Sequence, residues 1–147
     1  MGLIFKKTRP AAETVPDELR ELRAEYQNYR RRTALELSAA SEEGAKKAVL
    51  ALLPVYDDLQ RALQSPCADA AYRRGVELTL ENLLASLRTL GVAPMDSEGK
   101  CFNPDYHEAV EHIEDASLGA ERVARVLQTG FTMHEMVIRH AKVIVAN

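Results

Sequence analysis

The sequence predicts an α+β fold, in which a long N-terminal coiled-coil helix and a helical hairpin form a dimeric four-helix bundle, followed by a small C-terminal β-rich domain. Three observations lead to this prediction. Aromatic residues make up only 5% of the 147 residues and Trp is absent, whereas 46% of residues are hydrophobic, so apolar surface is expected along helix seams. A narrow apolar stripe at heptad spacing occupies the N-terminal part of the chain. Segments rich in Val and Ile, interrupted by Gly and Pro, occupy the C-terminal part.

Composition divides the chain into three predicted regions. Residues 1–15 are mixed and polar and are expected to form a flexible leader. Residues 16–91 are expected to form the paired helix and the bundle hairpin, and so to carry dimerisation. Residues 92–147 are expected to form the β-domain, and their five positive and nine negative charges mark them as a separate acidic module.

Charge, cysteine and hydropathy patterns exclude several classes of protein. The formal net charge of −3 excludes a generally basic nucleic-acid binder. Cys67 and Cys101 lie far apart without a partner motif, so neither a disulfide framework nor a zinc site is indicated. No apolar run approaches the ~20 residues that a membrane helix needs, and the N-terminal run is too short for a signal peptide. We therefore expect a cytoplasmic protein that binds neither nucleic acid nor membrane.

The first helix is predicted from residue 17 to residue 64. Pro16 suits a first turn, and Asp17 and Glu18 favour the positive end of the helix dipole. At 1.5 Å per residue the helix would be roughly 70 Å long, too long for the inside of a chain of this size, so it is expected to pair with a second copy. Apolar or small residues recur at intervals of three and four along the expected dimer seam: Leu19, Leu22, Tyr26, Tyr29, Thr33, Leu37, Ala40, Gly44, Lys47 and Ala51.

One stretch of this seam is weak. Between Leu37 and Ala51 the seam positions are Ala40, Gly44 and Lys47, which bury little apolar area. Gly44 also costs about 1 kcal/mol relative to Ala within a helix. We expect this stretch to open first on heating, below the melting of the bundle itself.

A helical hairpin follows the seam. After Lys47 the apolar positions cover more than one face, as a helix packed against several neighbours needs, until Ser65 and Pro66 end the helix. A second helix is predicted from Ala70 to Leu90, with Gly91 as its stop signal. Two such hairpins, one from each chain, would form a four-helix bundle.

The β-domain is expected to contain strands at residues 110–113, 123–127 and 137–145. Its one suggestive cluster of ligand-type residues contains His107 and His112, which are five residues apart, whereas a zinc-protease helix needs a spacing of four. No phosphate-binding loop and no nucleophile paired with a base is present. We therefore predict a protein that is not an enzyme and that holds no metal and no cofactor.

Four blocks of sequence resemble the GrpE family, whose members are nucleotide-exchange factors of DnaK-type chaperones. The first three blocks are residues 28–33 (NYRRRT), 52–63 (LLPVYDDLQRAL) and 75–80 (GVELTL). The fourth consists of Phe102, Asn103, Pro104, His107, Ala109 and Val110, followed by Gly130, Phe131, Glu135, Ile138, Arg139, Ala141, Val143 and Val145. The resemblance covers about residues 17–146 and implies a homodimer with long paired helices, a four-helix bundle and two β-domains.

The resemblance also implies a set of chaperone-contacting residues, each of which has a structural alternative. Arg30 and Arg31 could instead belong to a solvated helix face that pairs with nearby glutamates. Gly75 could reflect fraying near the start of its helix. The other implied contacts could be core residues of a small domain, and they are Phe102, Pro104, Leu127 and Val145.

Three positions depart from the family pattern. Met136, His140 and Lys142 stand where the family usually has Arg, a small residue or Pro, and Met. These departures concern the last hairpin of the predicted β-domain and its contact with the chaperone.

By this resemblance, the expected function is release of ADP from a DnaK-type chaperone. The protein would bind the nucleotide-binding domain of the chaperone and hold it open, and would neither make nor break a bond. The alternative is a non-catalytic coiled-coil scaffold, or a protein that binds unfolded chains without affecting nucleotide.

Overall fold

A computed structural model describes residues 16–115, 119 and 121–146. The predicted leader at residues 1–15 lies outside the described residues. The chain divides into two compact units, Met1–Glu42 and Glu43–Asn147, and each is described separately below.

Two helices form where the sequence predicts them. Helix α1 spans Asp17–Gln64 and has two acidic residues in its first turn, as its dipole favours. Helix α2 spans Ala70–Thr89, and the Asp69 carboxylate caps it by accepting hydrogen bonds from the backbone N–H groups of Ala71 (2.9 Å) and Tyr72 (3.1 Å). Gly91, whose φ is +73°, follows the last turn, as expected for a glycine that ends a helix.

The first unit contains the N-terminal half of α1. None of its described side chains is buried. Its polar side chains form ion pairs within the helix, such as Arg20 with Asp17 and Arg32 with Glu36, both at 3.6 Å. The predicted seam residues Leu19, Leu22, Tyr26, Tyr29 and Leu37 are 45–67% exposed.

The second unit contains two small sheets besides the rest of the helices. The strands are β1 (Val92–Pro94), β2 (His107–Ile113), β3 (Arg122–Gln128), β4 (Phe131–Met133), β5 (Met136–Arg139) and β6 (Ala141–Ala146). The first sheet has the order β1-β4-β5 and is antiparallel. The second has the order β2-β6-β3, with β2 parallel and β3 antiparallel to β6.

Two of the three predicted strands are confirmed and the third is wrong as a single strand. Strands β2 and β3 contain residues 110–113 and 123–127. The predicted strand at 137–145 is instead two strands in different sheets, which separate at His140. Arg139 pairs with Phe131 of the first sheet, whereas Ala141 pairs with His107 of the second. Glycine at position 130 allows the chain to pass close to Ala141, where β6 begins. A Cβ atom at residue 130 would lie only 2.6 Å from the backbone nitrogen of Ala141.

The hydrophobic core of the second unit consists of two clusters. The first joins both helices to the first sheet, and its buried members are Val49, Leu53, Tyr56, Leu80, Leu87, Val92, Phe131, Met133 and Ile138. The second lies on the second sheet, and its buried members are Val123, Ala141, Val143 and Val145. The sequence predicts a domain boundary between residues 91 and 92. The first sheet, which follows this position, nevertheless shares one hydrophobic core with the helices that precede it.

Candidate functional site

Arg30 and Arg31 lie on the exposed surface of α1 in the first unit. The Arg30 guanidinium is 6.0 Å from the centre of the Tyr26 ring. The nearby carboxylate of Glu36 pairs with Arg32, and neither Arg30 nor Arg31 forms an ion pair with any other described residue. Their positive charges are therefore available to an acidic partner.

Gly75 lies within regular helix on the exposed surface of α2. The hydroxyl of Thr79 donates to its carbonyl oxygen at 2.9 Å, one turn along an intact helix, which does not support fraying as the reason for this glycine. A Cβ atom at this position would meet nothing within 4 Å. Packing within the chain therefore does not require glycine here, whereas close approach of a partner would.

The segment from Phe102 to His107 forms a hydrogen-bonded turn that leads into β2. The backbone N–H of Asn103 donates to Nδ1 of His107 at 3.1 Å, and the backbone N–H of His107 donates to the carbonyl oxygen of Asn103 at 2.8 Å. Burial, and secondarily the positive charge of Lys100, lower the pKa of His107, which keeps the imidazole neutral and able to accept. The ring of Phe102 lies beside this imidazole, with 6.0 Å between the ring centres.

The four β-domain candidates have different environments. Pro104 is exposed and Leu127 is 50% exposed, so both side chains are accessible to a partner. Phe102 is half-buried against the second core cluster. Val145 is only 2% exposed and belongs to that cluster, so the core alternative describes it correctly and its side chain offers no free surface.

Sequence reasoning missed a polar network centred on Asp57. Both oxygens of its carboxylate accept from the guanidinium of Arg139 at 2.8 Å, and Oδ2 also accepts from Nε2 of Gln128 at 2.8 Å. Arg139 donates further to the carbonyl oxygen of Thr129, from Nη2 at 2.7 Å and from Nε at 3.1 Å. No local spacing could have revealed these contacts, since Gln128 and Arg139 are 71 and 82 residues from Asp57 along the chain.

Comparison with known proteins decides the family. The GrpE family model matches residues 5–147. This chain belongs to the GrpE family. Three relatives named "Protein GrpE" illustrate the similarity: that of Clostridium acetobutylicum is 38% identical over 92% of this chain, that of Thermus thermophilus 41% over 88%, and that of Shewanella piezotolerans 32% over 97%. The matches cover 67%, 72% and 73% of those relatives, so the chain spans about two thirds of their length.

The three departures from the GrpE pattern lie on or beside strands β5 and β6. Met136, His140 and Lys142 are all exposed. The β4–β5 turn before them has positive φ at His134 (46°) and Glu135 (70°), and His134 lies so close to Gly91 that a Cβ there would be 2.3 Å from its ring. The sequence places these departures on one last hairpin, but only Met136 lies on the β4–β5 hairpin, whereas His140 lies between the two sheets and Lys142 lies on β6 of the second sheet. All three side chains are on the surface and none belongs to the buried clusters.

The described part of this GrpE-family chain contains no group of three or more residues arranged to hold a metal. His107 is buried and His112 is exposed, so these two ligand-type residues lie in different environments. Cys67 and Cys101 are both free and exposed. Among the described helices, none is long and apolar enough to cross a membrane.

Proposed function

We propose that this chain is a nucleotide-exchange factor that promotes ADP release from a DnaK-type chaperone by binding its nucleotide-binding domain and holding it open. The observation that carries the proposal is the match of the GrpE model to nearly the whole chain. Accessible positive charge at Arg30 and Arg31 and the open helix surface at Gly75 support it. So do the exposed side chains of Pro104 and Leu127.

The proposed mechanism needs no bond chemistry. A bound factor can shift a chaperone from its closed, ADP-holding form to an open form only by binding the open form more tightly. Two exposed surfaces support such a role: the helix surface around Arg30 and the β-domain surface around Leu127. In this proposal residues 16–91 carry dimerisation, and residues 92–147, which include Phe102, carry much of the chaperone contact.

The active form is proposed to be a homodimer. Five apolar seam residues in the first unit are 45–67% exposed, although water contact with such a stripe is unfavourable. A second copy would cover them as a coiled coil. Leu52, Val55 and Leu78 of the hairpin are also 44–50% exposed, which fits a four-helix bundle made from two hairpins.

The seam stretch from Leu37 to Ala51 supports a proposal of thermal control. Ala40, Gly44 and Lys47 are exposed, and Lys47 pairs at 3.8 Å with Glu43 of its own helix. A seam made from such residues is weaker than the seam at Tyr26 or the bundle. Its opening on heating would uncouple Arg30 from the bundle and slow exchange.

Stopped-flow release of a fluorescent ADP analogue from a DnaK-type chaperone tests the function. The wild-type chain should accelerate release. Gly75→Asp should abolish most of the acceleration while leaving the helical circular dichroism signal nearly unchanged, and Gly75→Ala should retain more activity because its side chain is smaller. Binding of unfolded chains with no change in ADP release would instead support the scaffold alternative.

A further inference from the structure

The second sheet is joined to the helices by an unusual set of contacts. Its buried residues form their own cluster, separate from the cluster that joins the helices to the first sheet. Within the described part of the chain, all side-chain to side-chain hydrogen bonds link residues at most four positions apart, except those of Asp57. Asp57 therefore makes the long-range polar link from helix α1 to the sheets.

The geometry of this link restricts movement at the end of β3. Asp57 binds Gln128, the last residue of β3, and Arg139, the last residue of β5, so that one carboxylate holds the ends of both sheets. Arg139 also binds the carbonyl oxygen of Thr129 and lies 5.3 Å from the centre of the Phe131 ring. A planar guanidinium held by two parallel bonds has a defined orientation, unlike a single ion pair.

The link is also shielded from water. The side chains of Arg139 and Asp57 are 16% and 19% exposed, whereas those of the ion pair between Arg61 and Asp58, on the same helix, are 74% and 68% exposed. A shielded pair is screened less by salt and solvent than an exposed one. Asp57 and Asp58 are thus adjacent carboxylates in very different environments.

We infer that Asp57 and Arg139 are positioning residues, forming a clamp that fixes β3 and its exposed Leu127 against helix α1 so that the β-domain can hold the chaperone open. The inference rests on the proposed exchange function. Leu127 directly precedes Gln128, so a shift at the clamp moves the proposed contact surface. Replacing a shielded ion pair by well-packed apolar side chains is often neutral for stability, so stability alone does not account for this pair.

The experiment separates orientation from stability with two variants and one control. Asp57→Asn leaves Arg139 without its charge partner and should lower the Tm by about 5 °C. The double variant Asp57→Leu with Arg139→Met replaces the pair by apolar side chains and should return the Tm to near the wild-type value. Asp58→Asn is the matched control, and it should change neither the Tm nor the exchange rate.

The orientation is measured without the chaperone. Cys67 lies in the loop that connects α1 to α2. The backbone of Cys101 forms an isolated antiparallel β-bridge with Arg122, the first residue of β3. Both thiols are exposed for spin labelling. Labelled chains are mixed with an excess of unlabelled Cys67→Ser, Cys101→Ser chains, so that the electron-spin distance is measured within one chain. The distance distribution should be narrow in the wild type and in Asp58→Asn, and broad in Asp57→Asn and in the double variant.

The functional readout is the maximal rate of ADP release at a saturating concentration of each variant. The double variant should be slower than the wild type by on the order of tenfold, although its Tm is restored. A restored Tm together with wild-type distances or a wild-type rate would overturn the clamp. If the wild-type chain itself does not accelerate release, the proposed function is wrong and the exchange part of the inference falls with it, while the distance measurement still decides whether the pair sets orientation.

Discussion

Residues 17–42 and residues 43–146 differ in where their apolar side chains find partners. In the first region the seam residues are exposed except the half-buried Thr33, and the ion pairs connect residues on one helix. In the second, two buried clusters and the Asp57 network connect parts of the chain that are far apart in sequence. The second region thus supplies its own core, whereas the apolar stripe of the first is covered only in the proposed dimer. The stability of the first region should therefore depend on protein concentration.

Removing the aromatic centre of the second region should have the largest effect. Phe131 is fully buried and its ring meets that of Tyr56 edge-on, with 4.9 Å between the ring centres. Phe131→Ala should lower the free energy of unfolding of this region by about 3–5 kcal/mol, through lost burial and a cavity. Urea unfolding followed by circular dichroism measures this change. Tyr72→Ala is the control, because Tyr72 is 62% exposed, and a similar loss there would contradict the account.

A charge placed on the stripe of the first region should break the proposed dimer. Leu37 and Leu35 are equally exposed at 67%, but only Leu37 lies on the seam. Leu37→Asp should raise the dimer dissociation constant on the order of 100-fold or more, because two leucine contacts are lost per dimer. Sedimentation equilibrium should then report a monomer of 16.4 kDa, whereas Leu35→Asp should remain dimeric. If both variants were monomeric, or both dimeric, the assignment of Leu37 and not Leu35 to the dimer seam would be wrong.

Filling the weak stretch of the seam, from Leu37 to Ala51, should raise the temperature at which this stretch opens. Gly44 has no atom within 4 Å of a Cβ position, so larger side chains fit within the single chain. Gly44→Ala should stabilise the helix by about 1 kcal/mol through helix propensity, and Gly44→Leu by a further 1–3 kcal/mol or so through seam burial. The first far-UV circular dichroism transition should rise in that order, and exchange activity should persist to higher temperature. No change in that transition for Gly44→Leu would end the proposal of thermal control.

The smallest predicted effect concerns pH and is confined to the second region. Burial lowers the pKa of His107 in the folded chain, so below its ordinary value near 6.5 the unfolded chain binds the proton more readily. The contribution of His107 to stability is thus complete above that pH and declines as the pH falls through the window below it. His107→Gln should flatten the decrease in unfolding free energy between about pH 6.5 and 5, as measured by urea titration. A wild-type slope in His107→Gln would contradict this assignment.

The helices were predictable from sequence because their signals are local. Apolar spacing, the acidic first turn of α1 and the stop at Gly91 each depend on residues within a few positions of one another, and the observed helix bounds follow them. Strands β2 and β3 were likewise predictable from short apolar runs. The break at His140 was not, because pairing of Arg139 with one sheet and Ala141 with another depends on residues far away in the chain.

The candidate site was only partly predictable for the same reason. Exposure of Arg30 and Leu127 agrees with the contacts that the family resemblance implies. Burial of Val145 follows from its pairing with Val123 across the second sheet, which no spacing within β6 reveals. The Asp57 network joins residues at two strand ends, Gln128 of β3 and Arg139 of β5, to a helix, so its members have no common sequence motif.

Hydrogen exchange of the full-length chain at a series of protein concentrations tests most directly whether residues 17–42 obtain their core from a second copy. We expect backbone amides of residues 17–42 to lose protection as the chain is diluted through its dimer dissociation constant. Amides of the buried strand β6, in contrast, should keep the same protection at every concentration. Protection of residues 17–42 that is independent of concentration would contradict the account.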